Sequence, residues 1–520
     1  MNPIEKRFFE LKEGLKDISA NQILQRAATV WPDRIALICG DQQITYQKLF
    51  QQTIMLGKKL LNLLPSGSDT VKPGDRVLII YENSINFYKA YYAAWQIGAI
   101  VTPLNVYLNQ HELEHIIHDS KPKLIIASEK QKEKLQKLAP EKVAAPIISE
   151  AFFVEEKQDT EEKEMYIAPQ DQNACTVLLY TSGTTGIPKG VMFSSRMILT
   201  NCLQGVTNFA ITERERVYAA LPLFHSYMQN AAVWSPFIVG AAVIVIPFIN
   251  RTHLINGLTK NPTIIVGIPQ LYGLFALMKT LQFPQVKLFV SGGDSLQNKI
   301  RMGFEFIYNR KLVDGYGLTE TGPFIAVDID DIRHPAGCVG KPMIKIQAEI
   351  RDNKGEKSLH CQDGVLWIKG DNVTLGYYNA PEPTAKILKN GWINTGDIAY
   401  ITNDNYIVLQ GRERDLISHK GVKIYPPEVE NVLTMHPDIN MAGVIGTIHN
   451  GIEYPVAFVA SKASAEKIIP ELKKLCQNNL AAYKVPIEFY VRTILPTTAT
   501  GKVDKKILRQ DLIKIQEALK

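Results

Sequence analysis

The stretch YTSGTTGIPKG, residues 180–190, is built almost wholly from hydroxyl side chains and glycine, and it closes on Pro188, Lys189 and Gly190. A run of β-branched and aromatic residues, TVLLY, comes directly before it and reads as a buried strand feeding a loop. Gly183, Gly186 and Gly190 let backbone N–H groups converge without obstruction from a Cβ, while Thr181, Ser182, Thr184 and Thr185 add hydroxyl donors and Lys189 a positive charge. That composition suits a phosphate. A flexible surface turn would explain glycine and serine, but not four hydroxyls with a proline and a lysine in so short a span. The stretch departs from the P-loop pattern GxxxxGK[ST], because Lys189 follows Pro188 and precedes Gly190. A kinase or ATPase of the P-loop type is therefore disfavoured.

The chain has 520 residues, 46% of them hydrophobic, enough for a large core and more than one domain. Its net charge of +6 accommodates small anions but comes without the clustered basic stripes of a nucleic-acid binder, so no nucleic-acid partner is expected. Cys39, Cys175, Cys202, Cys338, Cys361 and Cys476 are scattered, with no CxxC or Cys/His pairing. Buried free thiols are expected, not a zinc site or a disulfide framework. The N-terminal MNPIEKRFFELKEGLK lacks the apolar core of a signal peptide, which predicts a cytoplasmic protein. The longest apolar run, WSPFIVGAAVIVIPF at 234–248, is too short for a bilayer and reads as a helix end, a glycine turn and a buried strand.

Strand-like and helix-like runs alternate along the chain: RVLIIY, SINFYKAYYAAWQIGA, KLIIAS, TVLLYT, TIIVGI, PQLYGLFALMKT and KLFVSGG. The alternation predicts an α/β fold with largely parallel, buried sheets. Ser84 is the expected N-cap of the helix that starts at Ile85. EEKQDTEEKE at 155–164 reads as a solvated connection. Beyond about residue 411 the texture changes to short α+β units ending in KKILRQDLIKIQEALK, which divides the chain into residues 1–411 and a small C-terminal domain, 412–520.

Two further stretches carry chemistry. In VDGYGLTETGP, 313–323, Tyr316 lies between glycines, where a ring can stack on a purine, and Glu320 offers the single carboxylate that a phosphate-bound Mg²⁺ takes from a protein. In GWINTGDIAY, 391–400, Asp397 follows a glycine turn, and an acceptor-only carboxylate suits a pair of ribose hydroxyls. Arg412 comes second in GRERDLISHKGVKIYPPEVE shortly afterwards. Taken singly, Asp in a turn and Arg in an ion pair are commonplace.

The order YTSGTTGIPKG, LPLFHS, SGGDSL, DGYGLTETG, GWINTGD, GRERDLI and PTTATGK resembles the AMP-forming adenylating superfamily of acyl-CoA and aryl-CoA synthetases, peptide-synthetase adenylation domains and beetle luciferases. The likeness covers nearly the whole chain. It implies a large multi-subdomain N-terminal part and a small C-terminal domain that rotates between two half-reactions. It implies that Thr181, Ser182, Gly183, Thr184, Thr185, Gly186 and Lys189 surround the ATP phosphates, that Gly293, Gly315 and Tyr316 frame the adenine with Asp294 and Asp314 beside them, and that Asp397 and Arg412 hold the ribose. Glu320 would hold Mg²⁺. Lys502 takes the place of the lysine that bridges the substrate carboxylate and the α-phosphate, with His225 and Thr319 completing the catalytic set. Arg414 falls at the interdomain pivot and Gly421 beside the channel for CoA.

The chain departs from the common pattern in three places. Asp294 and Ser295 stand where many relatives read SGGAPL, HKGVKIYP replaces GGENVYP, and the pivot is Arg414 instead of Lys or Asp. Amino-acid adenylating domains usually carry Asp just after a Phe, where this chain has His225, so an amino-acid substrate is disfavoured. The apolar segment from His225 to Tyr272 suits a fatty acyl tail, medium or long, although a plain core would read the same. ATP, Mg²⁺, CoA and a small carboxylic acid are the expected cofactor and partners. An aryl acid, a separate carrier protein as acceptor, a non-catalytic nucleotide or acyl-ligand binder, a homodimer and peripheral contact with a membrane stay open.

Overall fold

Apolar side chains run all the way round the helix Ile85–Gln96, and such a helix has to be enclosed. Ser84 caps it as expected, its side chain accepting from the Phe87 N–H at 3.2 Å. Tyr88, Tyr91, Tyr92 and Trp95 are fully buried, and each polar tip finds a partner: Tyr88 Oη donates to the Ala232 carbonyl at 3.2 Å, and Trp234 Nε1 donates to Tyr91 Oη at 3.0 Å. The apolar cluster around this helix takes in Val77, Val101, Val177 and Leu179 from one sheet and Leu37, Val217, Val243 and Val266 from another. One core therefore joins two sheets.

A computed structural model gives this architecture and describes all residues except 63–70, 139–142, 144, 154–166, 169, 183–186, 331, 333, 336, 353, 450, 499–500 and 519–520. The charged run at 155–164 lies outside the described residues. The larger sheet has nine strands, in the order Lys341–Pro342, Phe324–Val327, Leu312–Gly317, Leu288–Ser291, Ile264–Gly267, Arg216–Ala219, Ala242–Val245, Ile35–Cys39 and Gln42–Thr45. Its interior pairs are parallel and its margins antiparallel. Successive residues feed opposite faces: Val217, Val243 and Val290 enter the first cluster, whereas Tyr218, Ile244 and Phe289 enter a second beneath the helices Pro269–Leu277 and Asn298–Tyr308. Burial on both faces is why these strands read as unbroken apolar runs.

The six-stranded sheet runs Ile147–Ile148, Leu124–Ala127, Arg76–Ile80, Ile100–Pro103, Cys175–Ser182, Pro188–Ser194, and its last pair is antiparallel. The strands on either side of the glycine-rich stretch pair with each other, Thr181 opposite Lys189. The stretch does not lead from a strand into a helix, which a P-loop requires. A five-stranded antiparallel sheet holds Gln347–Arg351, Gly364–Lys369, Leu388–Lys389, Trp392–Ile401 and Ile407–Arg412. After it come a two-stranded hairpin, Ile417–His419 with Val422–Ile424, and a three-stranded sheet of Met441–His449, Ile452–Ala460 and Glu488–Arg492 with its own apolar clusters.

The run at 234–248 divides as its sequence suggests, into the helix Ser235–Val239, a left-handed Gly240 and the strand Ala242–Val245. A six-residue π-helix, Gln229–Trp234, leads into it and has no signature in the sequence. The six cysteines are free thiols as expected, but only Cys202, Cys338 and Cys476 are buried; Cys39 and Cys175 are half-buried and Cys361 is exposed. No described helix is long and apolar enough to cross a membrane.

Gly240 combines φ +75° with a site where an added Cβ would lie 2.4 Å from the Trp31 ring. Gly240→Ala is expected to destabilise the N-terminal part by about 1 to 3 kcal/mol from overpacking, beyond the cost of a left-handed alanine. Thermal unfolding checks this: a midpoint equal to that of the wild-type chain would contradict it.

Candidate active site

The strand Leu312–Gly317 ends at the site and presents Tyr316 there. The Tyr316 hydroxyl donates to one oxygen of Asp397, and Arg412 Nε sits 2.8 Å from the other. Asp397 and Arg412 face each other across an antiparallel pair, so strand register puts the two charges together. The candidate adenine and ribose residues therefore meet at one carboxylate. Burial raises the pKa of Asp397, and Arg412 opposes that shift.

Glu320 lies in the short turn Thr319–Thr321. Its Oε1 accepts from Tyr377 Oη at 2.7 Å, and Lys189 Nζ stands 5.3 Å from the centre of the Tyr377 ring. Tyr377 thus links the candidate metal ligand to the candidate phosphate lysine, a role the motifs do not reveal. Thr319 and the segment after His225 also meet: Ser226 Oγ and Thr319 Oγ1 are 2.9 Å apart. His225 caps the turn Ser226–Met228, and burial, with Lys502 nearby, pushes its pKa down to about 4. It is neutral at physiological pH.

Lys502 has come into this cluster from the far end of the chain. Burial lowers its pKa, and the charges that act on it are Asp294, Arg412, Asp397 and Arg414. Gly501, just before it, has φ +83°, and its carbonyl accepts from Gln270 Nε2 at 3.3 Å. Gln270 Nε2 also reaches Asp294 Oδ2 at 3.2 Å. Asp294 therefore faces the lysine loop.

The other expected residues differ in their surroundings. The buried carboxyl of Asp314 pairs with Arg301 at 3.3 Å, and burial pushes its pKa up to about 7. Gly421 tops the hairpin beyond Ile417–His419, where an added Cβ would meet nothing within 4 Å; it faces open space. Of the two glycines after Ser291, Gly292 is the crowded one, since a Cβ there would lie 3.1 Å from Tyr227 Oη and 3.4 Å from the Gly315 carbonyl. Gly293 has a left-handed φ of +78° and more room. Thr181 lies on the hairpin strand Cys175–Ser182, where Ser182 is the last residue, and Gly183, Thr184, Thr185 and Gly186 lie outside the described residues.

Tyr316, Asp397, Arg412, Glu320, Tyr377, Lys189 and Lys502 thus offer, in one region, a ring, a hydroxyl acceptor, a lone hard carboxylate and cations. A nucleotide triphosphate with Mg²⁺ matches that set, because a phosphate-bound Mg²⁺ needs one or two protein carboxylates and no dedicated cage. Among the described residues no cluster of three metal-ligating side chains exists, and Glu320 stands as a single donor.

The sequence matches the family "AMP-binding enzyme" over residues 24–378 and "AMP-binding enzyme C-terminal domain" over 428–502. The chain belongs to the AMP-binding enzyme family, in the branch of acid–CoA ligases that work through an acyl-adenylate. Enzymes of this branch use ATP, Mg²⁺ and CoA. A long-chain-fatty-acid–CoA ligase from Bacillus subtilis is 28% identical over 96% of this chain and 95% of its own length. A feruloyl-CoA synthase from an Amycolatopsis species is 29% identical, over 93% of this chain and 97% of that protein. An O-succinylbenzoate coenzyme A synthetase from Bacillus subtilis, solved with ATP and a magnesium ion, superposes with a TM-score of 0.84. It is 27% identical, covering 94% of this chain and 99% of that one.

Tyr377→Phe removes the hydroxyl that holds Glu320 and leaves the ring beside Lys189. A hydrogen bond to a charged group contributes about 1.5 to 3 kcal/mol, so the Mg²⁺ concentration for half-maximal activity should rise roughly tenfold or more. A Mg²⁺ titration at saturating ATP reads this directly; an unshifted midpoint would show that Tyr377 does not act through Glu320.

Proposed function

We propose that the chain converts a medium- or long-chain fatty acid to its acyl-adenylate with release of pyrophosphate, and then passes the acyl group to CoA with release of AMP. An apolar cavity behind Tyr227 carries the choice of acid. Phe209, Ile211, Val266, Val290 and Phe324 line it, and Ser235 supplies the one polar side chain. Tyr227 stands between this cavity and the site: its hydroxyl lies over Gly292 and donates to the Val290 carbonyl at 3.3 Å, and its ring packs edge-on against Phe324 at 6.0 Å. A wall of this kind leaves a charged or polar acyl tail unsolvated and without partners.

The cavity is narrow, so an acyl chain would have to displace Tyr227 or Phe324 and widen it. Most of the apolar segment from His225 to Tyr272 is plain core. Trp234, Phe237 and Val243 pack into the first cluster and Tyr272 into the second, while Ala231, Ser235, Ile264 and Val266 face the cavity.

The chemistry asks for cations. A carboxylate oxygen attacks the α-phosphorus, the bond to the pyrophosphate oxygen breaks, and negative charge gathers on the phosphoryl oxygens. Lys502 would neutralise that charge and orient the carboxylate; Mg²⁺, held by Glu320 when bound, would supply further neutralisation. Asp397 and Arg412 would fix the ribose while Tyr316 faces the base. Thr181 to Gly186 with Lys189 would wrap the phosphates. Residues 412–520 would then turn to withdraw Lys502 before the thiolate of CoA attacks the acyl carbonyl and AMP leaves.

With saturated acids of increasing length, kcat/KM should climb about fourfold per carbon, from roughly 0.8 kcal/mol per buried methylene. It should then stop abruptly, as the first carbon too many costs about 1 to 3 kcal/mol. A flat series, or a win for a cinnamate-like acid, would remove the fatty-acid assignment. Omitting CoA, or supplying a carrier protein instead, identifies the acceptor.

Lys502→Ala should slow pyrophosphate release by about 10² to 10³, the cost of one preorganised charge at a developing oxyanion. Thioester formation from supplied acyl-AMP should survive. Equal losses in the two steps, or ADP in place of AMP from the wild-type chain, would overturn this mechanism.

A further inference from the structure

Lys299, in the first turn of the helix Asn298–Tyr308, lies outside the site described above. Its Nζ donates to three carbonyl oxygens of the C-terminal part, those of His436 at 3.1 Å, Pro437 at 3.2 Å and Ile439 at 3.0 Å. An ammonium has three N–H donors, so this one turn uses all of them. The turn follows the end of the helix Pro426–Thr434, where unpaired carbonyls and the helix dipole both favour a cation. Burial lowers the Lys299 pKa and the neighbouring Asp438 opposes the shift.

A second contact spans the same seam. Gln270, on the helix Pro269–Leu277, holds the carbonyl of Gly501 at 3.3 Å, one residue before Lys502. The two helices are packed together: the Tyr272 and Phe304 rings lie 5.3 Å apart, and a Cβ on Gly273 would touch Ile300 at 3.9 Å. Both anchors therefore stand on one rigid pair. They grip the C-terminal part at two separated places in its sequence, the turn at 436–439 and the lysine loop.

We propose that Lys299 is a positioning residue for adenylate formation: with Gln270 it latches residues 412–520 in the orientation that brings Lys502 to the site, and it lets go before the acyl group is transferred. This rests on the adenylate-forming reading. The His436 and Pro437 carbonyls lie at the surface and can be hydrated once released, so breaking the latch acts mainly on the balance between orientations. A side chain that contacts neither nucleotide nor acid would thus favour one half-reaction over the other.

The test uses the full chain with dodecanoate as the probe acid, and compares Lys299→Ala, Lys299→Arg and wild type. Single-turnover pyrophosphate release should fall about tenfold or more in Lys299→Ala and recover in Lys299→Arg, as expected for loss and return of charge-assisted hydrogen bonds. Thioester formation from supplied dodecanoyl-AMP should stay within about twofold of wild type or rise, since that step needs the latch open. Equal losses in both steps, or unchanged pyrophosphate release, overturn the proposal. Small-angle scattering with ATP gives a readout independent of turnover: Lys299→Ala should broaden the distribution of interatomic distances, and an unchanged profile overturns the latch. If the wild-type chain makes no adenylate from any acid, the activity reading fails, and scattering alone judges the latch.

Discussion

One buried carboxylate ties the molecule together. Asp397 is 5% exposed and would be costly to leave charged and alone there, yet both its oxygens are engaged, one by the Tyr316 hydroxyl and one by Arg412. Tyr316 comes from the nine-stranded sheet, Asp397 and Arg412 from neighbouring strands of the five-stranded one. Strand register is the constraint behind this: a slip of one residue would send Arg412 to the opposite face and leave the charge unmatched. A nucleotide bound as proposed above would meet side chains that are already oriented, so little ordering would remain to oppose it.

The alternation of strand and helix, the enclosed aromatic helix and the small C-terminal unit were legible because apolar periodicity and turn chemistry are local. Tyr316, Asp397, Arg412, Glu320 and Lys502 were legible because each sits in a short stretch of unusual composition. Tyr377 was not: it reaches Glu320 across 57 positions of chain, and nothing near it distinguishes it from a core tyrosine. Asp314 has a partner that its motif does not show: Arg301, 13 positions earlier, comes beside its carboxyl in space. The apolar run from His225 to Tyr272 carries no directional information, so sequence could not tell the few residues that face the cavity from the many that fill the core.

The large sheets share an apolar core, whereas the C-terminal elements keep cores of their own. What joins the two parts includes polar contacts: Lys299 to the turn at 436–439, Gln270 to the Gly501 carbonyl, and Tyr425 Oη to Asp363 at 3.0 Å. Hydrogen bonds at an edge can be exchanged for water at small net cost, while an apolar interface cannot. Contacts of this kind suit the turn between half-reactions proposed for residues 412–520.

The π-helix Gln229–Trp234 bears on how such a protein can diversify. A wider turn of this kind holds one residue more than an α-helix would in the same path, and here it lies between the cap at His225 and the cavity-facing Ser235. Deleting that residue would restore ordinary helical winding, rearranging the side chains of the turn itself, Ala231 at the cavity among them, while those beyond it keep their register. The strands, the carboxylate at Asp397 and the lysine loop would not have to move. The wall of the cavity at Ala231 can therefore be redrawn by a single-codon deletion without first disturbing the residues gathered at Asp397.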